Sequence, residues 1–314
     1  MSRDYAIVIP ARDEERAIGR TLDALRGLDE EIGASGAILV IDDRSEDRTA
    51  EIAASKGARV LRAPEGTIGT LRNLGAEAAS SSILCFLDAD CEVAPSWRTA
   101  LGAIVREKPI GLITGFPAAV PPDAGRLETI LAFRRPSRAP SYIPSGNLIV
   151  TRDVFESVGG FDPRLATGED HDFCARASAR GIRIEPRPDF LAFHRGYPKT
   201  FGEYFRRERW HGRGDFQSWG CFLRSRPAVL GSLVLVSLAA SAALAAAGAL
   251  RPAGIVLALG AAIPILATAI ARGDRSIARF PLFLARSALY LVARSLSGID
   301  VLLSQGARGA RRSA

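Results

Sequence analysis

Two runs without a single charged residue set the outer limits on what this chain can fold into. The first covers the 23 residues Ala228–Leu250 and the second the 20 residues Pro252–Ala271, with Arg251 between them. Each is long enough to cross a bilayer as a helix, and in lipid a helix satisfies every backbone N–H and C=O within its own segment. Spans near 228–250 and 252–271, joined at Arg251-Pro252, therefore predict a helical hairpin. Arg224, Arg226, Arg272, Arg275 and Arg279 flank its open end, whereas Arg251 alone marks the tip. Positive-inside counting then keeps both the amino-terminal domain and the tail on the cytoplasmic side of the inner membrane. A hairpin buried in a protein core is the competing reading, disfavoured because the runs are Ala, Leu, Val and Gly with almost nothing polar.

A third apolar stretch, 280–303, differs in kind. Arg286, Tyr290 and Arg294 recur at four-residue spacing and Asp300 follows. This pattern predicts an amphipathic helix lying in the interface rather than a third span. A third span would also carry Arg308, Arg311 and Arg312 to the wrong side. The chain thus divides into a cytoplasmic domain, 1–220, and a membrane region, 221–314.

Met1–Asp4 leads into a short strand with no apolar stretch of signal-peptide length, so the large domain is expected not to be exported. Cys85, Cys91, Cys174 and Cys221 form no CxxC pair and no disulfide-like framework, which fits a reducing cytosol and packing roles. Only Lys56, Lys108 and Lys199 among the 41 basic residues are lysine, and the net charge is +7. Anionic headgroups and a diphosphate substrate both match that balance, and the apolar spans argue against a nucleic-acid partner.

The first 220 residues alternate strand and helix. Tyr5–Ile9 is a strand stopped by Pro10, followed by helical spacing over Glu14–Leu25. Ala37–Ile41 is a strand ending in Asp42-Asp43, with a helix to Ser55 and a stop at Lys56-Gly57. Arg59–Leu61 and the five-residue apolar run Ile83–Leu87 are further strands, with a helix over Thr70–Ala79 between them. Ser96–Val105 reads as helix, Gly111–Phe116 and Asn147–Val150 as strands, Arg152–Val158 and Glu169–Arg180 as helices. Ile182–Glu185 and Phe190–His194 read as short edge strands, and Thr200–His211 as a basic amphipathic helix. Pro121, Pro122, Pro136, Pro140 and Pro144 make Pro117–Pro144 a loop-rich crossover. Such alternation predicts an α/β fold with a mostly parallel sheet covered on both faces.

The chemistry gathers at strand ends. Ile83–Leu87 runs into Asp88-Ala89-Asp90, and alternate side chains of an extended segment point the same way. Open α/β sheets place ligands at the carboxyl ends of their strands, and two converging carboxylates suit Mg2+ or Mn2+. A solvated pair capping the next helix is the plainer alternative. Asp42-Asp43 end the second strand, and Arg12, Asp13 and Glu14 follow the first, so three strand ends face one crevice. A nucleotide across it would meet Asp43 at its base or ribose and a metal at Asp90. Arg72 follows a Gly-containing helix start, either near a phosphate or simply solvated. No G-x-G-x-x-G follows the first strand and no G-K-[ST] occurs, which leaves a dinucleotide site or P-loop unsupported.

Six segments in order resemble the motif series of glycosyltransferase family two: Ile9-Pro10-Ala11-Arg12-Asp13-Glu14-Glu15, Asp42–Thr49, Arg72-Asn73-Leu74-Gly75, Asp88-Ala89-Asp90, Gly168-Glu169-Asp170 and Arg206–Trp210. The resemblance implies a GT-A-type sheet flanked by helices and an inverting transferase using a nucleotide-diphosphate sugar, a UDP- or GDP-sugar. It implies donor contacts at Pro10, Arg12, Glu14, Asp42, Asp43, Arg72, Asp88, Glu169, Arg209 and Trp210. Asp90, with Asp88 and His194, would hold the metal, and Asp170 would be the catalytic base. Asp170 opens a helix, where the positive dipole end favours its ionised form; a plain helix-start acid is the alternative, as a satisfied surface histidine is for His194. The acceptor would be a lipid or lipid-linked glycan at the membrane. Arg206 stands where the family's Q-x-x-R-W has Gln, and with two spans this argues against processive polysaccharide synthesis. A sugar-nucleotide-binding membrane protein without catalysis is the rival from another class.

Overall fold

The structure, a computed structural model, describes residues 4–132, 142–271 and 279–312. It contains two compact units, Met1–Asp123 with Ser137–Gly196 and Ala124–Pro136 with Tyr197–Ala314. The first unit ends at Gly196, and in the second the helix Phe201–His211 packs on the later helices.

In the first unit the strands are β1 (Tyr5–Ala11), β2 (Gly36–Asp42), β3 (Arg59–Arg62), β4 (Ile83–Leu87), β5 (Cys91–Val93), β6 (Ile113–Gly115), β7 (Asn147–Thr151), β8 (Ile184–Pro186) and β9 (Ala192–His194). Seven of them form one sheet in the order β3-β2-β1-β4-β7-β6-β8, and β5 pairs with β9 in a separate two-stranded sheet. The pairs β1–β2, β1–β4, β2–β3 and β6–β8 are parallel, while β7 runs antiparallel to both β4 and β6. The mostly parallel α/β architecture expected from the alternation is present.

Strand alternation divides the core in two. Ile7, Ile9, Val40, Cys85, Leu87 and Ile149 point to one face, where Leu22, Trp97, Leu101 and Ile104 cover them. Val8, Leu39, Ile41, Leu84, Phe86 and Val150 point to the other, beneath Leu71, Phe155, Phe161 and Phe173. Successive residues of a strand face opposite sides, so a strand buried on both faces reads as an unbroken apolar run, as Ile83–Leu87 does. Helix Ile68–Ala78 lies so close on this second face that a Cβ at Gly75 would overlap Val8.

Several boundaries differ from the sequence reading. Pro10 does not stop β1: it pairs with Ile41 beyond the end of the β1–β4 register at Val8–Phe86, where its missing N–H costs that ladder nothing. A short helix, Arg126–Ala132, forms between Pro122 and Pro136 inside the segment read as loop, and Pro136 and Pro140 lie outside the described residues. β5 is an element the sequence reading missed.

In the second unit, helices Arg226–Ala246, Leu250–Ala271 and Phe280–Arg312 are long and apolar enough that three could cross a membrane. The hairpin turn falls at Ala247–Ala249, not at Arg251-Pro252. Gly248 takes φ +75° there, a left-handed value that glycine adopts without a Cβ penalty. Pro252 instead sits in the first turn of the following helix, where its absent N–H would have had no partner. Arg272 and Arg275 lie outside the described residues, as do the side chains of Arg308, Arg311 and Arg312. Three of the cysteines are buried and reduced, but Cys221 is exposed and serves no packing role.

Candidate active site

The carboxyl ends of β1 and β2 are laced together by a set of crossed bonds. The Asp13 N–H donates to Ser45 Oγ at 3.0 Å, Glu46 N–H to Asp13 Oδ1 at 2.8 Å, and Glu14 N–H to Thr49 Oγ1 at 2.7 Å. Asp13 and Arg44 both hold positive φ, 54° and 57°, an uncommon backbone for residues with a Cβ that these bonds stabilise. Asp43 accepts from Arg44 Nε and Nη2, both at 3.2 Å, and from Arg12 Nη1 at 3.4 Å. Asp42 faces the interior: Oδ1 accepts from Ser45 N–H at 3.3 Å, and Oδ2 is buried without a hydrogen bond, 3.8 Å from Arg62 Nε. Pro10 is buried in β1, and Arg12 is exposed at the rim.

The end of β4 supplies the second part. Ligand atoms of Asp88, Asp90, Cys91 and His194 all lie within 4.8 Å of one another. The β5–β9 pairing sets this up, because it places Cys91 directly opposite His194 and brings His194 Nε2 to 3.4 Å from Asp90 Oδ1. Two glycines leave room for the carboxylates: a Cβ at Gly146 would overlap Asp88 Oδ2, and one at Gly196 would overlap Asp90 Oδ2. The donor chemistry suits a hard divalent cation. Burial, with Asp88 and Asp90 adding to it, pushes the Cys91 thiol well above its usual pKa, and a hard cation prefers the oxygen donors of the two carboxylates, with the imidazole beside them, to a soft sulfur.

Glu14 is half-buried beside this cluster. Burial first, and then the charges of Asp90 and Asp88, raise its carboxyl to about 7. The part of the shift that comes from Asp90 and Asp88 is one that a divalent cation would relieve.

The third part is a chain of carboxylates joined by one buried guanidinium. Arg72, 2% exposed, donates from Nη2 to Asp88 Oδ1 at 2.8 Å and from Nη1 to Glu169 Oε1 at 2.6 Å. It is therefore neither solvated nor open to a phosphate through those two nitrogens. Ser145 Oγ donates to the same Glu169 oxygen at 3.1 Å, and Ser145 N–H donates to Asp170 Oδ2 at 3.3 Å. Asp170 Oδ1 accepts from His171 N–H at 2.7 Å at the start of helix Glu169–Ala179. The positive helix end favours its ionised form, yet burial and then the neighbouring charge of Glu169 raise its pKa on balance. Asp170 is thus a stronger base than a surface aspartate.

The structure brings Asp88, Asp90 and His194 together and ties Asp88 to Glu169 through Arg72. Arg209 and Trp210 belong to the second unit, where Arg209 donates to both oxygens of Asp300 at 2.8 and 2.6 Å, and Trp210 is exposed. Ser145, Gly146 and Gly196 are site residues that sequence reasoning missed. The dipeptide Ser145-Gly146 before the strand Asn147–Thr151 is the signal that could have drawn attention to the first two.

Family models match most of the chain: "Glycosyl transferase family 2" over residues 6–152 and "Glycosyl transferase family group 2" over 126–272. The pre-mycofactocin glycosyltransferase of Mycobacterium tuberculosis is 28% identical over 61% of this chain and 43% of its own length. Glycosyltransferase AglE of Haloferax volcanii is 27% identical over 68% of this chain and 73% of its own. The chain thus spans under half the length of the mycobacterial relative. Among solved structures, mannosyltransferase PcManGT of Pyrobaculum calidifontis, in complex with GDP-Man and Mn2+, superposes with a TM-score of 0.59 at 18% identity, covering 95% of this chain and 88% of that one. S. aureus TarS in complex with UDP-GlcNAc gives 0.52 at 17% identity, covering 96% and 92%. These likenesses establish a GT-A-type fold.

Proposed function

Because the chain belongs to glycosyltransferase family 2, we propose that it transfers a glycosyl group, with inversion, from a nucleotide-diphosphate sugar to an acceptor at a membrane. The observation that carries this reading is the meeting of Asp88, Asp90 and His194 at the end of β4, joined through Arg72 and Glu169 to the segment holding Asp170. Solved neighbours that hold GDP-Man with Mn2+ or UDP-GlcNAc support the donor class.

The laced loops after β1 and β2 present Asp43 and Arg12 to the nucleotide. Asp43 is fixed by Arg44 and Arg12 and accepts hydrogen bonds from base or ribose. Asp90, Asp88 and His194 would hold Mg2+ or Mn2+, which supplies positive charge against the diphosphate as it departs. Asp170 takes the proton from the acceptor hydroxyl, and the oxygen attacks the anomeric carbon on the side away from the leaving group, which inverts the centre. Arg72 is a positioning residue: it pairs with Asp88 and Glu169 at once and so ties the metal cluster to the segment that holds Asp170. The hairpin holds the enzyme at the bilayer, where the acceptor is a lipid or lipid-linked glycan, and the arginines of Thr200–Arg226 favour anionic headgroups.

The test is nucleoside diphosphate release by detergent-solubilised protein, with Mn2+ or Mg2+, across UDP- and GDP-sugars and lipid extracts. Release that needs donor, cation and lipid together supports the reading. Donor binding without release in any combination would point to a non-catalytic nucleotide-sugar receptor instead.

A further inference from the structure

Three helices of the second unit pass as membrane spans on length and composition, yet the third is engaged in a way that lipid would not permit. Arg286, Arg294, Ser297 and Asp300 face the helix Phe201–His211 and the turn Gly212–Phe216. Arg294 donates to Asp215 Oδ2 at 3.0 Å and to Glu208 Oε2 at 3.2 Å. Asp300 takes both arms of Arg209, and Ser297 Oγ donates to the Arg209 carbonyl at 2.7 Å. The Arg286 guanidinium lies 5.6 Å from the centre of the Tyr204 ring. Backbones approach closely along the same line: a Cβ at Gly212 would overlap Ser297, and one at Gly298 would come within 2.8 Å of Phe216.

From Arg286 to Asp300 this contact runs about 21 Å at 1.5 Å per residue. Its partner segment, 201–216, carries Glu203, Arg206, Arg207, Arg209 and Arg213 besides the paired acids. A segment so charged cannot lie in hydrocarbon roughly 30 Å thick, and whatever packs along it stays out as well. Part of the apolar surface of the third helix is covered by the base of the hairpin. Leu291 and Ala293 are buried, and Gly231 of the first long helix sits so close that a Cβ there would overlap the Leu291 carbonyl oxygen. Just before that helix, Trp219 and Leu223 are 73% and 59% exposed, as side chains at a headgroup boundary would be.

We infer that the Phe280–Arg312 helix is not a third span: it lies on the aqueous side as a strap clamped along Phe201–His211, and the hairpin alone crosses the bilayer. The carboxyl terminus then shares a side with the β-sheet unit. This rests on the membrane placement proposed above but not on catalysis.

Membrane-impermeant maleimide labelling of the full chain in sealed vesicles tests it. In a Cys221→Ser background, where the other three cysteines are buried, single cysteines are introduced as Ile110→Cys, Arg251→Cys and Ala310→Cys. Positions 110 and 310 are expected to label from one side and 251 from the other. Labelling of 310 together with 251, opposite to 110, would establish a third span and overturn the inference. Labelling of all three from one side would show that the hairpin does not cross, which removes the membrane placement and the strap assignment with it. Release of nucleoside diphosphate, measured separately on the same vesicles, distinguishes failure of the topology from failure of the catalytic reading.

Discussion

Arg72 donates to Glu169 at 2.6 Å with its guanidinium almost wholly out of water, and its other terminal nitrogen reaches Asp88 at 2.8 Å. One buried cation therefore serves a residue of the candidate metal cluster and the neighbour of the proposed base. Arg72→Met would strand Glu169 in a desolvated place and leave the partly exposed Asp88 without its guanidinium partner. Breaking a buried ion pair from one side costs about 3–5 kcal/mol. Differential scanning of the purified protein is expected to show a midpoint lower by roughly 10 °C, and Arg72→Lys to recover only part of it, since an ammonium lacks the two-armed fork.

The glycines beside the carboxylates make a sharper claim about the cation. Gly196→Ala places a methyl group against Asp90 Oδ2 and 3.0 Å from His194 Cε1, so Asp90 must turn away. Mn2+ affinity, followed by the loss of the free-ion EPR signal, is expected to fall by about 10–100-fold, the range typical when support of a metal ligand is disturbed. The sheet should remain intact by circular dichroism.

Glu14 gives a pH dependence whose sign is fixed. Its carboxyl is raised to about 7, chiefly by burial and then by Asp90 and Asp88, so the cation-free protein binds more protons than the unfolded chain between the ordinary glutamate range and neutrality. Stability contributed by this group is full at low pH and is lost as pH rises through about 7. A bound divalent cation favours the ionised form, so Mn2+ affinity is expected to rise with pH over the same interval. Calorimetry in two buffers of different ionisation enthalpy should register proton release on Mn2+ binding near pH 6.5, and Glu14→Gln should reduce it.

Asp170 is raised by burial and by Glu169. As the proposed general base it would work ionised, so turnover is expected to climb with pH through its pKa. Glu169→Gln removes the second cause, and the acid limb of kcat is expected to move to lower pH. Ser145→Ala keeps the backbone bond to Asp170 but deletes the hydroxyl bond to Glu169. We expect it to lower kcat with little change in donor KM, the signature of a group that orients the base rather than binding the donor.

Much of this was legible in the chain itself. Ile83–Leu87 and Arg152–Val158 form with the bounds that their patterns indicate, because an apolar run closed by carboxylates and a short amphipathic turn closed by two glycines leave few alternatives. Other features depend on tertiary partners that leave no periodic trace. β5 and β9 are three residues each, too short for alternation to register, yet their pairing is what sets His194 beside Asp90. Gly146 and Gly196 look like any loop glycine until a carboxylate lies against them. The stripe Arg286, Tyr290, Arg294 reads identically whether it meets headgroups or a charged helix, and here it meets Glu208 and Asp215. A polar face shows that something polar covers it, without showing what.

The measurement that bears most directly on the central claim compares Asp170→Asn with the unaltered protein, recording donor binding and nucleoside diphosphate release in the same Mn2+-containing samples. The account predicts donor affinity within a few-fold and release lower by about 100-fold or more, as expected when a general base is lost. Release at the unaltered rate with Asn at position 170 would contradict the assignment of Asp170 as the base.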